Sequence, residues 1–477
     1  MKKTKVVCTI GPACNDFDSL KRMIVAGMDV ARINTSHTDE NEVVRTTERI
    51  RKAASELDAN PAILLDLQGP KIRVGDLKQD VLVKKGEHIK LTTKDFKQVY
   101  DPKNGIMIKV GYNKFIDDIG KGNTIFIDDG LIELKVLEVD RYESAATCEV
   151  IRGGIVKSNK GINLPKIKVG LDSVTEKDYY FLELGIKLGV DFIAQSFVRD
   201  SRDVIKIKER IKKRESHQLV ISKIEKHEAI DNFDNILDES DAIMIARGDL
   251  GIEVDPEDVP IFQKKIIKDC NHEGKPVITA TQMLDSMIRN YRPTRAEVSD
   301  VANAILDGSD AVMLSGETAI GKYPIESLEM MVKIINKTEQ QLDYGPAEKA
   351  IEYVEPATIT QAISAAGCEI ANKLHAKTII TSTKTGHTAR QVAKNRPRTI
   401  ILGASPRDHV IRQLMVSWGV IPVKTEFAQD IDDIVHEAVR VAKSNGFIQD
   451  GDVVVITAGV NKPGSTNMIN VKKVGQP

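Results

Sequence analysis

Eight short apolar runs, each separated from the next by a stretch of helical character, constrain this chain more than any other feature. They are KVVCTIG, DVARIN, PAILLDLQG, VDFIAQSFV, QLVISKIE, DAIMIARGD, KPVITATQM and DAVMLSGET. Runs without polar alternation read as strands buried on both faces, and intervening helices imply parallel pairing. Eight such units predict an α/β fold built on a closed (β/α)8 TIM barrel, with its active site at the C-terminal ends of the strands. Polar residues gather at those ends: Arg32 and Asn34, Asp66, Ser196, Lys223 and Glu225, Asp249, Thr281 and Glu317.

Two further units are expected. Residues 70–166 interrupt the barrel after its third strand with alternating, charged segments such as VLVKKGEHIKLTT and IFIDDGLIELKVLEV, broken by glycine turns. This texture predicts a small inserted β domain, a β-barrel lid over the active-site face. After about residue 345 the runs KTIITST, RTIILGAS, VIPVKT and DVVVITAG predict an open-sheet α/β domain. The expected division is therefore 1–69 with 167–344 for the barrel, 70–166 for the lid and 345–477 for a C-terminal regulatory domain.

Composition narrows the function classes. A formal net charge of −1 over 477 residues gives no reason to expect nucleic acid or an anionic membrane as partner. Five cysteines without a CxxC pair argue against a disulfide framework or structural zinc and fit a reducing compartment. The first twelve residues carry an apolar run too short for a signal-peptide core. No stretch approaches the ~20 apolar residues of a membrane span. A soluble, cytoplasmic protein is expected.

Lys223 and Glu225 are two apart, so on a strand they project to one side. If the run ending at Asp249 is the neighbouring parallel strand, its carboxylate lies roughly 5 Å across. Two carboxylates at that spacing suit one Mg²⁺, which completes its shell with water and substrate oxygens. The adjacent lysine concentrates positive charge where a phosphoryl group or an enolate would sit. A loop salt bridge is the competing reading. Other features carry plain readings too: Arg32 as a paired surface group, Thr281 as a helix cap and His227 as a loop histidine. GETAIGK lacks the spacing of a phosphate-binding P-loop.

The segments KVVCTIGPA, VARINTSH, LLDLQGPKIR, KGINLP, ISKIEKHEA, MIARGDLGIE, VITATQMLDSMI and RPTRAEVSDVANAILDGSDAVMLSGETAIGKYP occur in order. With the C-terminal α/β domain they resemble the pyruvate kinase family over essentially the whole chain. The resemblance implies transfer of the phosphoryl group of phosphoenolpyruvate to ADP, as the last step of glycolysis, with Mg²⁺ or Mn²⁺ as cofactor. It implies that Arg32 and Lys223 hold the phosphate, and that Glu225 and Asp249 bind the divalent ion. The backbone of Ala246, Arg247, Gly248 and Asp249 would cradle the substrate carboxylate, with Ser196 nearby. Thr281 would organise proton delivery, and Arg73, Lys160, Asn34 and His37 would meet ADP. A homotetramer is also implied.

One position departs from the family pattern. Many members carry Glu in GPEIR and require K⁺, bound at positions that correspond to Asn34, Ser36, Asp66 and the carbonyl of Leu67. Here the motif is GPKIR, and Leu67 and Gln68 replace the usual Thr-Lys. The Lys71 ammonium is expected to stand in for the cation and make K⁺ unnecessary. An exposed hinge lysine is the alternative.

In the C-terminal domain, Ser382, Thr383, Lys384, Thr385, Gly386 and Thr388 collect hydroxyls and N–H groups between a strand and a helix. In the family this region takes a phosphorylated effector, and residues 459–467 are expected to close over it. N-capping of a surface helix is the alternative. Two rival functions also stand: another Mg²⁺-dependent barrel acting on pyruvate or phosphoenolpyruvate, of aldolase type, and a non-catalytic metabolite sensor.

Overall fold

The computed structural model describes residues 2–36, 38–96, 100–101, 105–342, 358–427, 430–459 and 465–476. Eight strands form the central barrel: β1 (Lys5–Thr9), β2 (Val30–Asn34), β3 (Ala62–Asp66), β4 (Phe192–Gln195), β5 (Leu219–Ile224), β6 (Ala242–Ala246), β7 (Val277–Ala280) and β8 (Ala311–Leu314). They are parallel and follow chain order around the ring, and β8 pairs back to β1 through Lys5↔Ala311 and Cys8↔Leu314. Alternation explains why the runs are continuously apolar. Val7, Val30, Phe192, Ile221, Met244 and Ile278 fill one cluster inside the ring. Their sequence neighbours Val6, Cys8, Ala31, Ile193, Val220, Ile243 and Val277 pack against the surrounding helices.

Local signals set the helix starts. Thr175 caps Glu176–Leu188 and forms a reciprocal capping box with Asp178. Thr294 and Glu297 do the same for Arg295–Leu306.

Between β3 and β4 the chain leaves the ring to build a seven-stranded sheet and a two-stranded ribbon. Pairing is antiparallel except where His88–Thr92 runs beside Gly105–Lys109. This insertion has its own core, which includes Leu91, Phe115, Leu134 and Val150.

The C-terminal unit is a five-stranded sheet of β9 (Thr378–Ser382), β10 (Ile400–Ser405), β11 (Val420–Lys424), β12 (Val453–Ala458) and β13 (Met468–Lys473). Their order is β11-β10-β9-β12-β13, parallel except for the last strand. The polar run MINVKK carries little apolar signal and becomes a strand by pairing with β12. The barrel and the C-terminal sheet are tied through buried charge. Asp191 takes Arg51 of the barrel at 2.8 Å and Arg412 of the C-terminal unit at 2.7 Å. Lys5 donates to the carbonyl of Val420 at 2.7 Å. No helix among the described residues is long and apolar enough to cross a membrane.

Candidate active site

The polar residues that end the strands meet at one mouth of the barrel. β5 and β6 are parallel neighbours with Lys223 opposite Met244. The Lys223 ammonium donates to Ser196 Oγ at 2.7 Å and lies 2.8 Å from Glu225 Oε1 and 3.3 Å from Asp66 Oδ1. Asp66 Oδ2 in turn accepts from Arg32 Nε at 2.7 Å, and Arg32 NH1 donates to Thr9 Oγ1 at 2.8 Å. Ser196 Oγ donates to the Leu67 carbonyl at 2.7 Å. The C-terminal ends of β1 to β5 are therefore laced into one polar network.

Its electrostatics follow from burial. The Lys223 and Asp66 side chains are only 11% and 1% exposed. Burial works against the Lys223 charge, but Asp66 and Glu225 outweigh it and hold the ammonium protonated well above its usual range. Burial likewise pushes Asp66 up, and Lys223 and Arg32 overcome it, so that the carboxylate stays ionised below its ordinary range. Glu225 is raised, first by burial and further by the like charge of Asp249, against the pull of Lys223. Two carboxylates that repel each other beside a partly neutralised cluster fit a divalent cation, whose charge reverses that repulsion. No group of three or more metal-ligating side chains occurs among the described residues. A two-carboxylate site matches Mg²⁺, which takes its remaining oxygens from substrate and water.

The placement of Asp249 differs from the strand-end expectation. β6 stops at Ala246, and Asp249 sits in the first turn of the helix Arg247–Glu253. Gly248 N–H donates to Thr281 Oγ1 at 2.9 Å, so this N–H of the expected carboxylate cradle is already engaged. The Arg247 side chain turns away to Asp300 and to the carbonyl oxygens of Ala280 and Thr281.

Thr281 caps no helix. It lies in the left-handed region at φ +68°, followed by Gln282 at +54°. A β-branched residue there is strained and persists only when its surroundings hold it. Phe197, at φ +57°, is a second strained residue, and its N–H donates to Glu225 Oε2 at 3.0 Å.

The remaining expected residues divide. Asn34 lies beside Asp66 across β2 and β3, and its Oδ1 accepts from the Ser36 N–H at 3.1 Å. Lys71 is not brought to that group: its ammonium lies 3.9 Å from Asp129, and its Cε lies against Gly161. Arg73 and Lys160 come together on adjoining segments, since Val74 N–H donates to the Lys160 carbonyl and Arg73 bridges Gly161. Lys160 Nζ lies 2.9 Å from Asp128, and that hydrogen bond raises its pKa. His37 lies outside the described residues.

In the C-terminal unit, Ser382 ends β9, and Gly386 at φ +79° starts the helix His387–Ala393. Lys384 and Thr385 are exposed, whereas Thr388 is buried and accepts from Thr466 Oγ1 at 2.9 Å. Thr383 is also buried. Most of the expected closing loop, residues 460–464, lies outside the described residues.

Sequence reasoning gave Thr9 and Asp300 no role. Thr9 ends the first apolar run and was visible as a polar strand end. Asp300 sits on a helix far along the chain, and nothing local marks it. Glu317, expected at a strand end, lies in the short helix Gly316–Ala319 after β8 and serves the scaffold, accepting from the Leu284 and Ser315 N–H groups.

Dispersed cations beside paired carboxylates, under a charged insertion, provide what phosphoryl transfer needs from a protein. The fold and site define a barrel phosphotransferase. Family models described as the pyruvate kinase barrel domain and the pyruvate kinase alpha/beta domain match residues 1–328 and 361–472. Pyruvate kinases from Staphylococcus aureus strains MRSA252 and USA300 are each 42% identical over 478 residues, covering 100% of this chain and 81% of the relative. A crystal structure of a pyruvate kinase from Cryptosporidium parvum superposes with a TM-score of 0.92 at 37% identity, covering 99% of this chain and 96% of the other. The chain belongs to the pyruvate kinase family.

Proposed function

We propose that the residues at the barrel mouth divide the transfer of a phosphoryl group from phosphoenolpyruvate to ADP among themselves as follows. Arg32 and Lys223 face the substrate phosphate, and Lys223 neutralises charge that builds on the transferring oxygens and on the enolate left behind. Glu225 and Asp249 hold a divalent cation, Mg²⁺ by their oxygen chemistry, which supplies Lewis-acid polarisation of substrate oxygens when bound. Thr281, held beside Gly248, orients the water that delivers a proton to the enolate carbon. Arg73 and Lys160, side by side on the insertion, receive the ADP phosphates. The observation that carries this reading is Lys223 buried between Asp66 and Glu225 with Arg32 on the far side of Asp66. A coupled assay tests it: turnover of phosphoenolpyruvate requires ADP, stops on chelation of divalent ions and returns with Mg²⁺. Turnover without ADP would point instead to an aldolase-type barrel, and no turnover at all to a metabolite sensor.

Three finer readings accompany it. Lys71 replaces K⁺, supported by its ammonium in place of the family carboxylate. This reading needs the strap at residues 70–72 to carry Lys71 away from Asp129 toward Asp66. The Ser382–Thr388 loop takes a phosphorylated effector, supported by its position where the sheet order reverses between β9 and β12. The enzyme acts as a homotetramer in the cytoplasm, as the resemblance to the family implies, and its five buried, unpaired cysteines fit a reducing compartment. Analytical ultracentrifugation with and without sugar phosphates tests the assembly.

A further inference from the structure

A second cleft opens at the floor of the barrel, at the end away from the catalytic mouth, where the C-terminal unit docks. Its barrel side is the turn at residues 274–276, which leads from the helix Val259–Glu273 into β7, with Asp310 just ahead of β8. Its other side is Arg390 of the helix His387–Ala393, Lys394 directly after that helix, and Ser417 ahead of β11. The space is about 210 Å³ including its solvent-open mouth. Glycine brings the two sides close: Gly274 has φ +69°, and a Cβ there would come within 2.6 Å of Gln391 Nε2. The reaction described above gives this cleft no task.

Lys275, Arg390 and Lys394 line it, all partly buried, and none forms an ion pair with a carboxylate among the described residues. Their hydrogen bonds go to carbonyl oxygens instead. Lys275 donates to Leu237 and Asp238 at 2.5 and 2.8 Å, Lys394 to His272 at 2.6 Å, and Arg390 to Thr385 at 3.3 Å. Asp241 and Glu273 act on these cations from further off, and each has a nearer partner, Lys208 and His272, at 3.0 Å. Burial is the leading cause that lowers the pKa of all three.

The lining carboxylate, Asp310, is fully engaged. Its Oδ1 accepts from the Trp418 N–H at 3.2 Å and lies 3.2 Å from Arg396, and its Oδ2 accepts from the Val277 N–H at 3.0 Å. Ser417, only 1% exposed, adds a hydroxyl whose Oγ is buried with no hydrogen-bond partner. Buried cations short of counter-charge are costly, and an anion that meets them removes that cost. A guanidinium fork, two ammonium groups and a hydroxyl are the donors that recognise a tetrahedral oxyanion. The apolar part of the wall is Pro276 and Ala393, which offers little to a carbon tail.

We propose that this cleft binds inorganic phosphate, and that the bound anion pins the C-terminal unit to the barrel floor. The claim stands apart from the residue roles given above. The test is calorimetric titration of the full-length enzyme with inorganic phosphate at fixed ionic strength, with Mg²⁺, ATP and oxalate filling the catalytic mouth. Saturable binding is expected, and Lys394→Gln is expected to weaken it about tenfold, the scale of one hydrogen bond to a charged group. Lys275→Gln combined with Lys394→Gln weakens it further, and turnover without phosphate shows that each variant folds. Lys384→Ala, in the loop assigned to an effector, keeps its phosphate affinity. Saturating phosphate also raises the melting temperature of the unaltered enzyme above its value in chloride, and leaves the double variant unmoved. Absence of saturable binding overturns the proposal, as does undiminished binding in both lysine variants. Loss of binding in Lys384→Ala would place the phosphate in the effector loop and overturn it too. Glycerol 3-phosphate binding as tightly as free phosphate would make a phosphorylated metabolite the ligand, and binding without a rise in melting temperature would remove the pinning.

Discussion

The Arg247 guanidinium and the Asp300 carboxylate meet through two parallel contacts, NH1 to Oδ1 and NH2 to Oδ2, each 2.7 Å. The same guanidinium donates to the Thr281 carbonyl at 2.9 Å, so the pair braces a strained turn at the barrel mouth. Bidentate pairs of this kind are among the stronger hydrogen-bonded contacts and fix geometry as well as energy.

Asp300→Asn breaks the brace without changing side-chain size. Thr281 then relaxes toward ordinary backbone angles, and kcat is expected to fall roughly tenfold, as small misplacements in active sites commonly do. Steady-state kinetics beside a thermal melt check this. An unchanged kcat would show that the turn is held by other contacts.

Replacement of Lys223 by Met leaves Asp66 and Glu225 buried without their shared cation. Turnover is expected to fall by about 10³, the scale of losing one preorganised charge at a developing anion. Breaking a buried charge network also costs about 3–5 kcal/mol of stability. Urea unfolding measured with the coupled assay separates the two effects, and a variant with full turnover would remove Lys223 from the reaction.

If Lys71 supplies the monovalent charge, the enzyme turns over equally well in tetramethylammonium and in K⁺ buffers, within about twofold. Lys71→Glu restores the carboxylate found in K⁺-requiring relatives and should make activity depend on added K⁺. Strong K⁺ stimulation of the unaltered protein would rule the idea out.

Lys5 at the opposite end of the barrel titrates unusually. Burial lowers it from the usual 10.5 to about 8, a trend the nearby Asp29 only partly opposes. Below pH 8 it is charged in both states, and the folded protein bears the cost of the buried charge. Between pH 8 and 10.5 the unfolded chain holds a proton that the folded one has released, so stability from this group rises with pH, by on the order of 3 kcal/mol at most. The urea midpoint of the unaltered protein should therefore climb relative to Lys5→Met between pH 7.5 and 10. Parallel curves for the two proteins would show that Lys5 keeps its proton.

Much of the architecture was legible because its signals are local. Each barrel strand announces itself as an apolar run, Thr175 marks a helix start, and Arg32, Asp66, Lys223 and Glu225 fall at strand ends. β13 was illegible because MINVKK draws its stability from pairing with β12 and not from its own pattern. Asp249 was misplaced by one structural step, since a sequence does not say whether a polar residue closes a strand or opens the next helix. The brace from Asp300 had no sequence signal, because it links a helix to a turn through a side chain neighbouring residues do not predict.

Residue order alone determined the barrel, its inserted sheet and which polar groups stand at the strand ends, because hydrophobic periodicity and parallel pairing act along the chain. Tertiary structure alone decided which of those groups share charge. Asp66 is poised between Arg32 and Lys223, Gly248 N–H is spent on Thr281, and Lys71 faces Asp129. Distances of 3 Å between residues far apart in sequence depend on how the whole ring closes, and electrostatics falls off too steeply for strand-level reasoning to assign partners.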